Sequence, residues 1–195
     1  QEAVKEGIKE ALEAGIEPGK ILEDGLLAAM NTIGEKFKAN EIFVPEVLIS
    51  ARAMNSGMEL LKPELIESGV EAEGKIVLGT VKDDLHDIGK NLVRMMLEGT
   101  GFEVFDMGTD VAPEEFAAKV KEEEVDIVGI SALLTTTMEN MKEVIEKLEA
   151  EGIREEVFIM VGGAPITEDF AEEIGADGYA SNASDAADIA QEQIA

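Results

Sequence analysis

Residues 75–81 read Lys-Ile-Val-Leu-Gly-Thr-Val, a short apolar run that is followed at once by polar residues. Such a run is typical of a strand buried on both faces of a parallel sheet. A helical pattern comes next, because Ile88, Leu92 and Met96 recur at helical spacing. The segment therefore predicts the first strand and helix of an α/β domain.

The same alternation of strand and helix continues to the end of the chain. It predicts further strands near 102–107, 126–131, 157–161 and 177–180, and helices near 113–123, 137–150, 167–174 and 184–194. Five strands that alternate with helices indicate a parallel, doubly wound sheet. Right-handed crossovers leave few topologies for it. We expect a five-stranded, flavodoxin/Rossmann-like domain over residues 71–195.

The first 70 residues follow a helical pattern instead. Gly15 is a stop for a first helix and Pro18 a start for the next. A short break separates Phe37 from Phe43, and Pro45 opens a last helix. Apolar residues at spacings of three and four predict a four-helix bundle over residues 1–70. The segment from Gly69 to Gly74 is the predicted linker.

The composition limits the partners and the chemistry. Against 16 Lys and Arg stand 43 Asp and Glu, a net charge of −27, so we expect neither nucleic acid nor a membrane as a partner. The charge fits a basic protein partner or simply high solubility. The absence of cysteine excludes disulfides, thiolate zinc sites and cysteine nucleophiles.

The chain shows no targeting signal. No apolar run approaches the roughly 20 residues of a membrane span, and no signal peptide opens the sequence. We therefore expect a cytoplasmic protein. The first residue is Gln1 and not methionine, which is consistent with a trimmed N-terminus.

Candidate site residues follow the predicted strands. Ligands of open parallel sheets bind beyond the carboxyl ends of the strands, near the switch in strand order. Three segments should lie along that edge: 82–89, 131–137 and 162–165. Thr136 in the second segment, with Glu139 just beyond it, also matches a helix capping box.

His86 is the only histidine of the chain, and Asp84 stands two residues before it. A carboxylate beside an imidazole is typical of a metal-bound histidine. Zinc takes about three or four N or S ligands from a protein, so a zinc site is not expected. If His86 binds a metal, the metal must bring its other ligands with it, as in haem or a corrinoid. A structural or merely exposed histidine is the alternative.

Three motifs resemble those of base-off, histidine-on cobalamin-binding domains. Residues 84–89 match Asp-x-His-x-x-Gly, residues 131–133 match Ser-x-Leu, and residues 162–163 match a glycine pair. The helical half resembles the cap that precedes this domain in cobalamin-dependent methionine synthase. It is also similar to the corrinoid proteins of methanol and methylamine methyltransferase systems, so the resemblance covers nearly the whole chain.

The resemblance implies roles for individual residues. His86 would be the lower ligand to the cobalt of a cobalamin or related corrinoid, with Asp84 as its hydrogen-bond partner. Thr137 stands where methionine synthase has a serine in the same relay. Ser131 and Leu133 would line the pocket of the displaced base. The remaining cofactor contacts implied are Asp87, Ile88, Gly89, Thr135, Gly162 and Gly163, of which the glycine pair would pass the nucleotide tail.

In the bundle, the resemblance implies that Phe37, Val44 and Val47 lie over the upper face of the cofactor. Val44 is smaller than the leucine of methionine synthase, so this shield would be looser. Periodicity alone assigns all three residues to the bundle core.

The resemblance also implies a function. The chain would carry a methyl group on cobalt from a substrate-specific methyltransferase to a second methyltransferase that acts on tetrahydrofolate or coenzyme M. A reductive activator would be a further partner. No catalytic residue set for a substrate is visible, so we expect a carrier subunit.

Other functions remain open at this stage. The cobalamin domain of a mutase or a light sensor would share the sheet motifs, although a mutase small subunit lacks the bundle and no DNA-binding module is visible. A response-regulator-like phosphoacceptor would explain Asp83 and Asp84, but Ser131 stands where its acceptor aspartate is required. A flavin carrier would leave the pairing of Asp84 with His86 unexplained.

Overall fold

The computed structural model describes residues 1–70 and 72–194, which fall into two compact units. One unit comprises Gln1–Ala72 and Gly99–Gly101, and the other Glu73–Glu98 and Phe102–Ala195. Of the predicted linker, Glu71 lies outside the described residues, as does the terminal Ala195. The domain limits of 1–70 and 71–195 stay a prediction.

The first unit is helical. Its four predicted α-helical segments are present: α1 (Glu2–Glu13), α2 (Pro18–Ile21), α3 (Ala28–Lys38) and α4 (Val44–Ser68). A π-helical stretch, Leu22–Leu27, joins α2 and α3 without a break, which the sequence pattern does not predict. Within the described residues, no helix combines the length and apolar character that a membrane crossing needs.

Helix α1 packs closely on α4 in this unit. A Cβ atom on Gly57 of α4 would lie 2.7 Å from Ile8 Cδ1 and 2.9 Å from Val4 Cγ1 of α1. Real Cβ atoms do not approach other atoms so closely, so a larger residue at position 57 would displace these two side-chain methyl groups of α1. Ile8 and Leu61 are buried beside this contact.

The second unit is a parallel five-stranded sheet. Its strands are β1 (Lys75–Val81), β2 (Glu103–Val111), β3 (Ile127–Ser131), β4 (Phe158–Gly162) and β5 (Gly178–Ala180). Their order β2-β1-β3-β4-β5 confirms the predicted flavodoxin-like topology. The helices are α5 (Ile88–Gly99), α6 (Pro113–Glu123), α7 (Glu139–Ala150), α8 (Glu168–Ile174) and α9 (Ala183–Ile194).

The edge strand β2 is longer than predicted. Residues beyond 107 resemble a turn, because glycine favours a positive φ and aspartate tolerates one, and Gly108 and Asp110 both adopt it. In the fold they remain paired with β1 through two register shifts. The Asp110 N–H donates to the Asp84 carbonyl at 3.0 Å, so a tertiary contact extends the strand past its local turn signal.

The predicted capping box of Thr136 and Glu139 is wrong. Helix α7 begins at Glu139 with Met138 in the N-cap position, and no side chain caps it. The turn before it is closed by backbone bonds instead, since the N–H groups of Thr137 and Met138 donate to the Leu134 carbonyl at 3.0 and 3.1 Å.

Candidate functional site at the carboxyl edge of the sheet

The strand order reverses between β1 and β3, and the loops after these two strands diverge there. The loop after β1, residues 82–87, carries His86, and the loop after β3, residues 132–138, leads into α7. The first of these loops is held at its base by the buried Thr80, whose hydroxyl donates to the His86 carbonyl at 3.0 Å.

Asp84 joins the two loops. Its side chain is fully buried. Oδ1 accepts hydrogen bonds from His86, at 2.7 Å from Nδ1 and 3.1 Å from the backbone N–H. Oδ2 accepts from the Thr137 hydroxyl at 2.7 Å, and from the N–H groups of Leu133 and Leu134 at 2.8 and 3.3 Å. The carboxylate therefore meets donors on both oxygens.

These donors set the charge state of Asp84. Burial by itself raises the pKa of Asp84, because it penalises the charged form. The bonds from the Thr137 hydroxyl, the Leu133 N–H and His86 outweigh burial, and the pKa lies well below its usual range. Asp84 is consequently a buried anion at neutral pH.

An ionised Asp84 determines the tautomer of a neutral His86. A carboxylate has no proton to donate, so Nδ1 must carry the proton and Nε2 keeps its lone pair. The His86 side chain is half-exposed, and no hydrogen bond to Nε2 is present within the described residues. This nitrogen is thus free to bind a metal from the solvent side, with a buried anion behind it.

Further bonds hold the loop that carries His86. The Asn140 amide on α7 donates to the Lys82 carbonyl at 2.7 Å. The Asp83 N–H donates to Oδ1 of Asp110 at 2.7 Å, and Asp83 has a positive φ. Sequence reasoning missed Thr80, Asn140 and Asp110. Only Thr80 gave a local signal, since a hydroxyl within an apolar strand needs a partner.

Large apolar side chains surround this edge. Leu85 and Ile88 are 75% and 81% exposed, and Leu133 and Leu134 are 40% and 41% exposed. Leu85 and Ile88 lie on either side of His86 along the chain, and Leu133 and Leu134 supply backbone N–H donors to Asp84. Exposed apolar residues that lie together typically mark a binding surface. This surface fits a large ligand with extensive apolar area.

The donor set fits a metal that brings most of its ligands. Within residues 1–70 and 72–194, no group of three or more His, Cys, Asp or Glu residues is arranged to hold a metal ion. A single imidazole on an apolar rim therefore suits a macrocycle better than a bare ion. The residues present fit a corrinoid.

The predicted glycine pair lies on the same edge. Ser131 pairs with Gly162 at the ends of β3 and β4. Gly163 has φ +144°, and a Cβ there would lie 1.8 Å from the Ala132 carbonyl oxygen. Gly163 is thus required by the close approach of two loops. Its role in passing a cofactor tail stays a prediction.

The other predicted residues differ in exposure. Thr135 is exposed, and Asp87 accepts a hydrogen bond from the Asn91 amide at 3.0 Å. A Cβ on Gly89 would meet nothing within 4 Å, so the first turn of α5 is open to a ligand. In the helical unit, Val47 is fully buried, while Phe37 and Val44 are partly exposed. Roles for these residues beside a cofactor stay predictions.

The depressed pKa of Asp84 predicts an acid dependence of stability. Because the folded pKa lies below the unfolded value of about 3.9, the charged form stabilises the fold above that value. This contribution is lost as the pH falls below about 4 towards the folded pKa. We expect the difference in urea midpoint between wild type and Asp84→Asn to be constant near neutrality and to shrink in acid.

Measuring the urea midpoint as a function of pH checks this dependence. Asp83→Asn controls for acid effects that do not involve Asp84. A difference between wild type and Asp84→Asn that persists unchanged through the acid range would contradict it.

Comparison with known proteins identifies the family of this chain. Two family models, each described as a B12 binding domain, match residues 1–62 and 74–188. Dimethylamine corrinoid protein 3 of Methanosarcina acetivorans is 47% identical over 193 residues, which cover 97% of this chain and 91% of the relative. Trimethylamine corrinoid protein of Methanosarcina barkeri is 46% identical over 187 residues, with coverages of 95% and 86%.

Solved structures give the same result. A cobalamin-binding protein from Desulfitobacterium hafniense DCB-2 superposes with a TM-score of 0.82 at 35% identity, covering 99% of this chain and 92% of that one. A chain of the methanol:cobalamin methyltransferase complex MtaBC from Methanosarcina barkeri gives 0.87 at 36% identity, with coverages of 97% and 72%. This chain therefore belongs to the B12-binding corrinoid proteins.

Proposed function

We propose that this chain is the methyl carrier of a methyltransferase system. It receives a methyl group from a substrate-specific methyltransferase and delivers it to a second methyltransferase that acts on tetrahydrofolate or coenzyme M. The bound corrinoid would supply a cobalt centre that accepts a methyl group only in its reduced form, which is why a reductive activator is the third proposed partner. The named relatives, corrinoid proteins for dimethylamine and trimethylamine, support this proposal.

One observation carries the proposal: His86 Nδ1 donates to the buried Asp84 carboxylate at 2.7 Å. His86 is then the lower cobalt ligand through Nε2, and the corrinoid binds base-off. Asp84 keeps Nδ1 protonated, while Thr137 orients Asp84. The exposed Leu85 and Ile88 receive the macrocycle.

The ligand can be identified with one isotope label, because the chain has a single histidine. Protein grown with nitrogen-15 histidine is mixed with hydroxocobalamin, desalted and reduced to the cobalt(II) state. We expect the nitrogen splitting in its electron paramagnetic resonance spectrum to change with the label, since the two nitrogen isotopes differ in nuclear spin. His86→Ala should abolish the dependence of the splitting on the label and weaken corrinoid binding by at least the roughly 10- to 100-fold that loss of a ligand's hydrogen-bond partner costs.

Asp83→Asn is the matched control, since it changes the same loop without touching the imidazole. If the protein retains corrinoid but the nitrogen splitting is the same with and without the label, ligation by His86 is refuted. A folded protein that retains no corrinoid would refute the carrier function as well.

The methyl donor is tested separately. We propose a methylamine as the donor, because the dimethylamine and trimethylamine relatives are 45–48% identical to this chain. Corrinoid-loaded, reduced protein is incubated with purified methyltransferases specific for methanol or for each methylamine, and isotopically labelled donor. We expect label on the protein-bound cofactor with one methylamine enzyme and none with the methanol enzyme. Labelling by the methanol enzyme alone would overturn the donor assignment.

A further inference from the structure

Lys90 is a buried cation without a role in the site described above. Its side chain is 1% exposed, and its ammonium forms an ion pair with Asp106 of β2. Removing an ammonium group from water is costly, and such a pair often stabilises no more than two apolar residues would. Net stability therefore does not explain why a charged residue is buried at position 90.

The first connection from this pair reaches the residue that follows His86. Lys90 Nζ also donates to Oδ1 of Asn91 at 3.0 Å. The Asn91 amide donates in turn to Oδ2 of Asp87 at 3.0 Å, and its backbone N–H donates to the Asp87 carbonyl at 2.7 Å. Lys90 thus orients the amide that holds the C-terminal side of the loop.

The second connection reaches the residues before His86. Oδ1 of Asp106 accepts from the Gly108 N–H at 2.9 Å, across Met107. Met107 has no partner on β1, since Leu78 pairs with Asp106 and the next residue of β1 pairs with Gly108. Asp106 therefore closes a β-bulge, which redirects the strand beyond it.

The redirected end of β2 holds the start of the loop. Oδ1 of Asp110 accepts from the Asp83 N–H at 2.7 Å, and the Asp110 N–H donates to the Asp84 carbonyl at 3.0 Å. Both Asp83 and Asp110 have a positive φ, which a non-glycine residue keeps only where its surroundings enforce it.

We propose that Lys90 and Asp106 are a positioning pair that holds both sides of the loop 82–87 and thereby fixes the orientation of the His86 ring against Asp84. The inference rests on the proposed function in one respect, which is that the oriented ring serves as the cobalt ligand. Neither residue touches the imidazole, so both act through Asn91, Asp87 and the end of β2.

The test uses the unloaded protein and the same nitrogen-15 histidine label. In wild type, at a pH where the ring is neutral, one protonated and one lone-pair nitrogen should give widely separated resonances. Asn91→Ala cuts one connection and leaves the ion pair in place, and Lys90→Met removes the pair. In both variants we expect the two resonances to move towards each other, because a released ring also populates the other tautomer.

A double variant separates positioning from stability. Lys90→Met/Asp106→Asn removes both charges but keeps a carbonyl acceptor for Gly108. It should recover part of the urea midpoint lost in Lys90→Met without recovering the His86 resonances. Recovery is partial because Arg94 Nε, 3.6 Å from Oδ2 of Asp106, loses its carboxylate partner. Lys142→Met is the matched control, since Lys142 forms an exposed ion pair with Glu146 on α7. It should leave the resonances unchanged.

Corrinoid binding gives an independent readout. We expect Asn91→Ala to bind hydroxocobalamin roughly 3- to 10-fold more weakly, less than the loss for a direct partner of a ligand. Wild-type resonances in folded Asn91→Ala and Lys90→Met would overturn the proposal, and Asn91→Ala alone decides if Lys90→Met does not fold. Failure of the proposed function would appear instead as folded wild-type protein that retains no corrinoid.

Discussion

Replacing Asp84 with asparagine is expected to lower the free energy of unfolding by about 3 kcal/mol, although the side chain keeps its shape. Both carboxylate oxygens accept from donors. An amide has one accepting oxygen, so its NH2 group must face donors on one side. If the NH2 group takes the place of Oδ2, it points at the Leu133 N–H. If it takes the place of Oδ1, it points at the His86 backbone N–H. In either case two donors face each other.

The same change should alter the imidazole. With NH2 towards His86, Nδ1 becomes the acceptor and the proton moves to Nε2, the nitrogen proposed to bind cobalt. Asp84→Asn should therefore lose both stability and corrinoid affinity. Asp83→Asn is the control, because it makes the same chemical change at an exposed neighbour and should stay within about 0.5 kcal/mol of wild type.

Urea unfolding measures this effect. The only tyrosine of the chain, Tyr179, lies on β5 in the same unit as Asp84, and the chain has no tryptophan. Tyrosine fluorescence therefore reports the sheet unit rather than the helical one. An Asp84→Asn variant as stable as Asp83→Asn would show that the buried carboxylate is not essential to the two loops.

Replacing Gly163 with alanine is expected to cost more than about 3 kcal/mol, because backbone strain and overpacking add at this position. The residue has φ +144°, and its new Cβ would lie 1.8 Å from the Ala132 carbonyl oxygen. That oxygen belongs to the backbone, so relief requires the loop after β3 to move. This loop carries Leu133 and Thr137, two donors to Asp84.

Gly89→Ala is the matched control for Gly163→Ala. A Cβ on Gly89 would meet nothing within 4 Å, and Gly89 lies in the first turn of α5. Alanine there should raise stability by roughly 0.5–1 kcal/mol. If Gly89 faces the cofactor, the variant should nevertheless bind hydroxocobalamin more weakly. A Gly163→Ala variant that unfolds at the wild-type urea midpoint would contradict the predicted clash.

The sheet elements were predictable because their signals are local. Strands β1, β3, β4 and β5 are apolar runs between polar or glycine residues, and each lies within one residue of its predicted limits. Strand β2 was predicted four residues short, since Gly108 and Asp110 carry a turn signal that pairing with β1 overrides. The π-helical stretch Leu22–Leu27 has no local signal that we could recognise.

The sequence by itself determined the topology class and the proximity of Asp84 to His86, because two residues apart in one loop are neighbours in any fold. Tertiary structure alone decided that Asp84 is a buried anion. Thr137 and Leu133, which keep it ionised, lie 53 and 49 residues away along the chain. Burial and hydrogen bonding across such separations arise only when the ends of β1 and β3 meet, and they orient the His86 ring for the role proposed above.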